Sequence, residues 1–126
     1  MSALIQPPST GDVVKYELNP NFTRETVALL AGTDYPAGSV LGRVTASGKW
    51  KLATASGSDG AQNAAGVLLY PVDARLIDAI GIVLARGPAI VSRAGLAYDA
   101  SVSDAARITA KLGQLTALGI VPRDAA

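Results

Sequence analysis

Through most of the chain the apolar and polar positions change over in short stretches, and a helical period appears only near the end. Val14, Tyr16 and Leu18 alternate with polar neighbours, which predicts a strand, and Asn19-Pro20-Asn21 then breaks it. Thr26 to Leu30 is a short apolar run closed by Ala31-Gly32-Thr33-Asp34, and Tyr35-Pro36-Ala37-Gly38 reads as a turn. Val40 to Val44 and Trp50 to Ala53 read as two paired strands joined through Ser47-Gly48. Ala55 to Asn63 is a loop by composition, and Ala65 to Val72 predicts a buried strand that ends near Pro71. Ala79 to Ala85, the most apolar stretch and rich in β-branched residues, predicts a second buried strand. Gly87-Pro88 marks a sharp turn before Ala89 to Ser92.

The pattern changes after this point. Ala105, Ile108, Leu112 and Leu115 recur at helical spacing and predict a helix over about 102–118 with one apolar stripe. Ser101 or Ser103 can cap its start, Asp104 suits the first turn, Gly119 fits a left-handed C-terminal cap, and Pro122 prevents continuation. The expected fold is therefore mainly β: a small barrel-like or sandwich-like single domain with one C-terminal helix. At the other end, Pro7, Pro8, Ser9, Thr10 and Gly11 predict a mobile segment from Ser2 to Asp12. The organisation that follows is a flexible arm over 1–22 and one β-rich domain over 23–126.

Composition sharpens this picture. A chain of 126 residues supports one domain with one modest core. Hydrophobic residues make up 49% and charged residues 17%, below the usual ~25%, which suits a protein that covers part of its surface by association. The net charge is +1, and the eleven Lys and Arg residues lie singly along the chain, so a phosphate-backbone binder is not expected. The absence of Cys excludes disulfides, thiolate metal sites and thiol nucleophiles, and there is no His. The opening Met-Ser-Ala-Leu-Ile-Gln-Pro-Pro lacks the basic start and apolar length of a signal peptide, and no stretch is long enough to span a bilayer. The expectation is a soluble protein made in a cytoplasm, with no membrane and no nucleic-acid partner.

Candidate chemistry is sparse. Gly42 to Lys49 superficially matches a phosphate-binding loop, but five residues rather than four separate the glycines. Trp50 stands where a magnesium-binding Ser or Thr is needed, and a strand follows where a helix should begin, so a hairpin turn is the better reading. Asn21-Phe22-Thr23 is a glycosylation acceptor only in a secreted chain, and Asp59-Gly60 lacks the acidic ladder of a calcium loop. The ten acidic residues are scattered and form no catalytic signature. Trp50 and the tyrosines are read as core or interface fillers. No catalytic residue, cofactor or metal is expected.

Several pieces, in order, resemble the head-decoration family of tailed phages, the group of the phage lambda capsid-stabilising protein. Pro36-Ala37-Gly38-Ser39-Val40-Leu41-Gly42 is similar to the segment that leads such chains into their first core strand. Gly48-Lys49-Trp50-Lys51-Leu52 resembles the basic residue and apolar strand that follow. Gly57-Ser58-Asp59-Gly60-Ala61 with Ala65-Gly66-Val67-Leu68 resembles the next loop and strand, and Gly87-Pro88-Ala89 the turn into the final strand. The resemblance runs from Tyr35 to Asp99; the chain departs from the lambda version in its longer C-terminal helix and its N-terminal arm. It implies a tulip-like β fold and a homotrimer on the outer capsid surface at three-fold and quasi-three-fold positions. The implied partner is the major coat protein, with an arm that orders against it. That role is a cement that stabilises the expanded head against the pressure of its DNA. Within the arm the alternating Val14, Tyr16 and Leu18, with Phe22, are the candidate capsid-binding residues, because an extended segment can add a strand to an exposed sheet edge. Two rival readings remain, a cytoplasmic small-ligand or protein-binding β-barrel module and an enzyme using carboxylates. A polar convergent pocket would favour either; an apolar interface without one would favour the structural protein.

Overall fold

The computed structural model describes residues 13–124. The expected mobile segment Ser2 to Asp12 lies outside the described residues.

The centre of the molecule is a closed five-stranded barrel in the order β2-β5-β4-β6-β8. Its strands are β2 (Arg24–Leu29), β4 (Val40–Arg43), β5 (Trp50–Leu52), β6 (Ala64–Leu68) and β8 (Ala79–Leu84). The expected hairpin forms: β4 and β5 pair antiparallel with Arg43 opposite Trp50, and Gly48 N–H donates to the Val44 carbonyl at 2.8 Å. Gly48 adopts a φ of +73°, so the segment that mimicked a phosphate-binding loop is a turn between strands. Beside the barrel, β3 (Thr33–Tyr35) and β7 (Val72–Ala74) form a two-stranded ribbon. The single strand expected over Ala65 to Val72 is therefore two strands in different sheets, with the chain turning at Tyr70-Pro71, where Pro lacks the N–H to continue a ladder.

A second sheet has the order β1-β9-β10, from β1 (Val14–Glu17), β9 (Ala89–Ser92) and β10 (Ile120–Arg123). β10 runs parallel to β9, and the crossover between them carries the C-terminal helix α2 (Ala105–Ala117). The helix begins later than expected. Its cap is Asp104, whose carboxylate accepts from Arg107 N–H at 2.8 Å, while Ser101 instead bonds Asp99 and receives Ala55 N–H. An ionised carboxylate outcompetes a neutral hydroxyl for the first-turn amides. The C-terminus ends as expected, with Gly119 at φ +85°. That glycine lies against Gly87, where an added Cβ would meet the Gly119 carbonyl oxygen at 1.8 Å. The helix end and the Gly87-Pro88 turn can approach this closely only because both positions lack side chains.

Two apolar clusters fill the molecule, and β4, β6 and β8 contribute to both. Leu41, Leu68 and Val83 point into the barrel with Leu29, Tyr35 and Trp50. Val40, Val67 and Leu84 point the other way, toward Val13, Val91, Leu115 and Ile120. Strands buried on both faces read as continuous apolar runs, which is why Val67-Leu68-Leu69 carries no alternation.

On the helix, Leu115 is fully buried, Ile108 and Leu112 are half-buried, and Ala105 is exposed, so the expected stripe starts one turn later. The stripe also holds Lys111, only 2% exposed, whose Nζ donates to the Gln62 carbonyl and, at 3.3 Å, to Gln114 Oε1. Gln114 Oε1 accepts in turn from Ala64 N–H at 2.7 Å, which ties the helix to the start of β6. Burial pushes the Lys111 ammonium below its ordinary value of 10.5.

Candidate interaction surfaces

The four candidate residues of the arm sit on the body of the domain. Val14 to Glu17 form an antiparallel ladder with β9, placing Val14 opposite Val91 and Tyr16 opposite Ile90, with a register shift between them. The strand pattern read in the sequence is thus satisfied first by this domain's own sheet. Leu18 N–H continues the pairing to the Pro88 carbonyl at 3.0 Å. The single helical turn α1 (Pro20–Thr23) follows, capped by Asn19, whose side chain accepts from Asn21 N–H at 2.9 Å.

Below this turn, Glu17 is the anchor. It accepts from Thr23 Oγ1 at 2.7 Å and pairs with Arg24 at 2.5 Å, its side chain only 10% exposed. The Arg24 guanidinium, with a smaller contribution from Thr23, holds the Glu17 carboxyl below its ordinary value of 4.5 against the opposing effect of burial.

With the backbone held in this way, Tyr16, Leu18 and Phe22 are displayed outward, each about half exposed. Val14 is half-buried and packs against the core, so three of the four candidates are available for contact and the fourth positions them. Phe22 is supported by Arg86, which lies over its ring at 5.5 Å, donates to its carbonyl and pairs with Glu25 at 2.8 Å.

A second apolar surface was not foreseen. Ala79 to Ala85 was expected to be buried throughout, but Ile80 and Ile82 face outward while Gly81 and Val83 face in. The preceding loop exposes Leu76 at 92% and Ile77 at 74%. The signal was present: Ile80-Gly81-Ile82 places two large residues at alternate positions of a strand, but an apolar run alone does not reveal which face is covered.

Among the described residues, hollows mark the surface near both regions. One of about 370 Å³ is lined by Asp73, Arg75, Leu76 and Ile77. Another, of about 350 Å³, is lined by Pro20, Asn21, Arg24, Glu25, Thr26 and Ile82. Their charged groups already neutralise partners in the same chain, Asp73 with Arg75, Arg24 with Glu17, and Glu25 with Arg86. Among the described residues, every buried side-chain nitrogen and oxygen has a hydrogen-bond partner, and no group of three acidic side chains could hold a metal ion. Nor is any helix there long and apolar enough to cross a membrane.

The structure is a small, mainly β domain with one C-terminal helix that displays apolar side chains on two separate sheets, a feature that marks protein-contact surfaces. Residues 3–120 match the family model described as Bacteriophage lambda head decoration protein D, and the chain belongs to that family. It is accordingly a structural protein of the phage virion with a capsid decoration role. The match extends beyond Tyr35–Asp99 to include most of the N-terminal arm and the whole helix. No curated protein matches the chain.

Proposed function

We propose that the protein is a non-enzymatic cement that binds as homotrimers to the outer surface of the expanded phage head. It is made in the host cytoplasm, sits at three-fold positions and joins neighbouring major coat subunits. The observation that carries this reading is the outward display of Tyr16, Leu18 and Phe22 from an anchored strand and turn in a head-decoration chain. In the proposed complex these three side chains, with the arm that precedes them, contact the coat protein. Val14 holds their strand in place from beneath.

A ligand that binds only the assembled, expanded lattice shifts the equilibrium away from disassembly by mass action. Each site contributes little, but a shell carries many sites, so internal DNA pressure is resisted by their sum. The contacts are apolar and the net charge is only +1, so binding persists at moderate salt, unlike a phosphate-driven complex. The protein meets coat subunits and not DNA. The test is to mix purified protein with undecorated expanded heads and measure co-sedimentation, then heat DNA-filled heads with and without it and measure DNA release. Binding with reduced release is the expected result; equal release from decorated and bare heads overturns the cementing role.

A further inference from the structure

We infer that Arg86 is a positioning residue for coat binding: its guanidinium holds the Phe22 ring in the orientation that the coat protein meets. This rests on the reading of Phe22 as a coat contact. Phe22 sits on α1, a single helical turn closed by the Phe22 and Thr23 N–H groups, which both donate to the Asn19 carbonyl, at 2.9 and 2.8 Å. A turn this short leaves its last carbonyls without partners inside the helix. Residues just past β8 take them up. The Thr23 carbonyl accepts from Ala85 N–H at 2.8 Å and from Arg86 N–H at 3.4 Å, and the Phe22 carbonyl accepts from Arg86 Nη1. The same guanidinium lies over the Phe22 ring, 5.5 Å from its centre, and its Nη2 donates to Glu25 Oε1 on β2 at 2.8 Å. One planar group thus holds both the backbone and the ring of Phe22, and a carboxylate braces it from the barrel.

Two features separate this role from the alternatives. The first is charge. Glu25 neutralises Arg86, so the pair offers an approaching coat subunit no net charge, and Arg86 serves through the ring it holds. The second is redundancy of the anchor. Thr23 Oγ1 and Arg24 both bind Glu17, and Leu18 N–H donates to the Pro88 carbonyl, so the path of the chain does not depend on the Arg86 side chain. What that side chain adds is a fixed orientation for an aromatic group that is half exposed. A ring already held in its bound orientation loses less freedom when a partner packs on it, which strengthens binding without a new contact.

The test is a double-mutant cycle on the full-length protein. Binding to undecorated expanded heads is measured by co-sedimentation for the wild type, Arg86→Ala, Phe22→Ala and the double variant, with circular dichroism to verify folding. R86A should weaken binding about ten-fold, the combined effect of an exposed cation–π contact and a hydrogen bond. In the F22A background the same change should weaken it less than about two-fold, because the two residues act as one unit. Arg86→Lys keeps the charge but cannot serve ring, carbonyl and carboxylate from one plane, so it should recover only part of the loss. If R86A does not fold, R86K carries the cycle in its place. An equal loss with and without Phe22 overturns the proposal and makes Arg86 a coat contact in its own right. Full recovery by R86K also overturns it, since charge alone would then suffice. So does undiminished binding by R86A beside weak binding by F22A, a result that leaves the Phe22 contact standing. F22A that binds as the wild type does removes the contact reading itself, and the proposal with it.

Discussion

The barrel and the β1-β9-β10 sheet handle the same problem in different ways. A strand at a sheet edge leaves backbone donors and acceptors unpaired, which invites unwanted pairing. The barrel removes the problem by closing, and β4 and β6 are buried almost throughout. The sheet stays open, with β1 and β10 at its edges. Each edge strand is interrupted, β10 by Pro122, which has no N–H, and β1 by the register shift between Val14 and Tyr16. The comparison teaches a division of labour. The closed unit supplies the walls of both cores, whereas the open unit displays the exposed Tyr16, Leu18 and Phe22 from an anchored edge. Because β4, β6 and β8 serve both clusters, the two units should nevertheless unfold together.

The strongest way to break that last statement is Leu115→Ala. Leu115 is fully buried between helix and sheet, so its truncation should cost about 2–5 kcal/mol, and thermal unfolding should remain a single transition at lower temperature. Two separate transitions by circular dichroism would show that sheet and barrel are independent. Leu112→Ala, at a half-buried position of the same stripe, should cost clearly less.

The next largest effect concerns function without stability. Replacing Tyr16, Leu18 and Phe22 together by Ser should weaken binding to expanded heads at least a hundred-fold, about 2.8 kcal/mol. Its unfolding midpoint should stay close to that of the wild type, because these side chains are exposed. Unchanged co-sedimentation of the triple variant would move the contact away from β1.

Gly119→Ala tests the point where the helix returns to the sheet. A left-handed φ of +85° costs a residue with a side chain about 1–2 kcal/mol, and the new Cβ would press on Gly87 at 3.2 Å. Urea unfolding should report that loss, and a neutral result would mean that the turn relaxes freely.

Smallest is the effect of Glu17. Its folded-state value is depressed, so its contribution to stability is present above the unfolded value of 4.5 and is lost as pH falls through the lower folded value. Glu17→Gln should cost about 1 kcal/mol near neutrality. It should also flatten the fall in stability on the acid side, measured as unfolding midpoint against pH. An unchanged acid limb would show that Glu17 is not an anchor.

Much of this arrangement was legible in residue order because it depends on local chemistry. The β4–β5 hairpin follows from Ser47-Gly48, the end of the helix from Gly119 and Pro122, and the strand at Val14 to Glu17 from its alternation. The misreadings have a common source. Ala79 to Ala85 looked buried because it is apolar, and Lys111 was counted as one more scattered charge although it sits three residues after Ile108 and four before Leu115, on the apolar stripe itself. In both cases the residue type suggested one environment and the neighbouring elements supplied another.

The amino-acid sequence by itself determined the mainly β class, the C-terminal helix and its stop signal, and the resemblance to head-decoration chains. Each element depends on residues close to one another in the chain, and the resemblance on the order of short pieces from Tyr35 to Asp99. Tertiary structure alone decided that the barrel closes, that β10 crosses over to lie parallel to β9, and that one face of β8 stays uncovered. It also decided that Lys111 finds its acceptors in the Gln62 carbonyl and Gln114. Burial is a property of what packs on a residue, and those partners come from distant parts of the chain that no local pattern specifies.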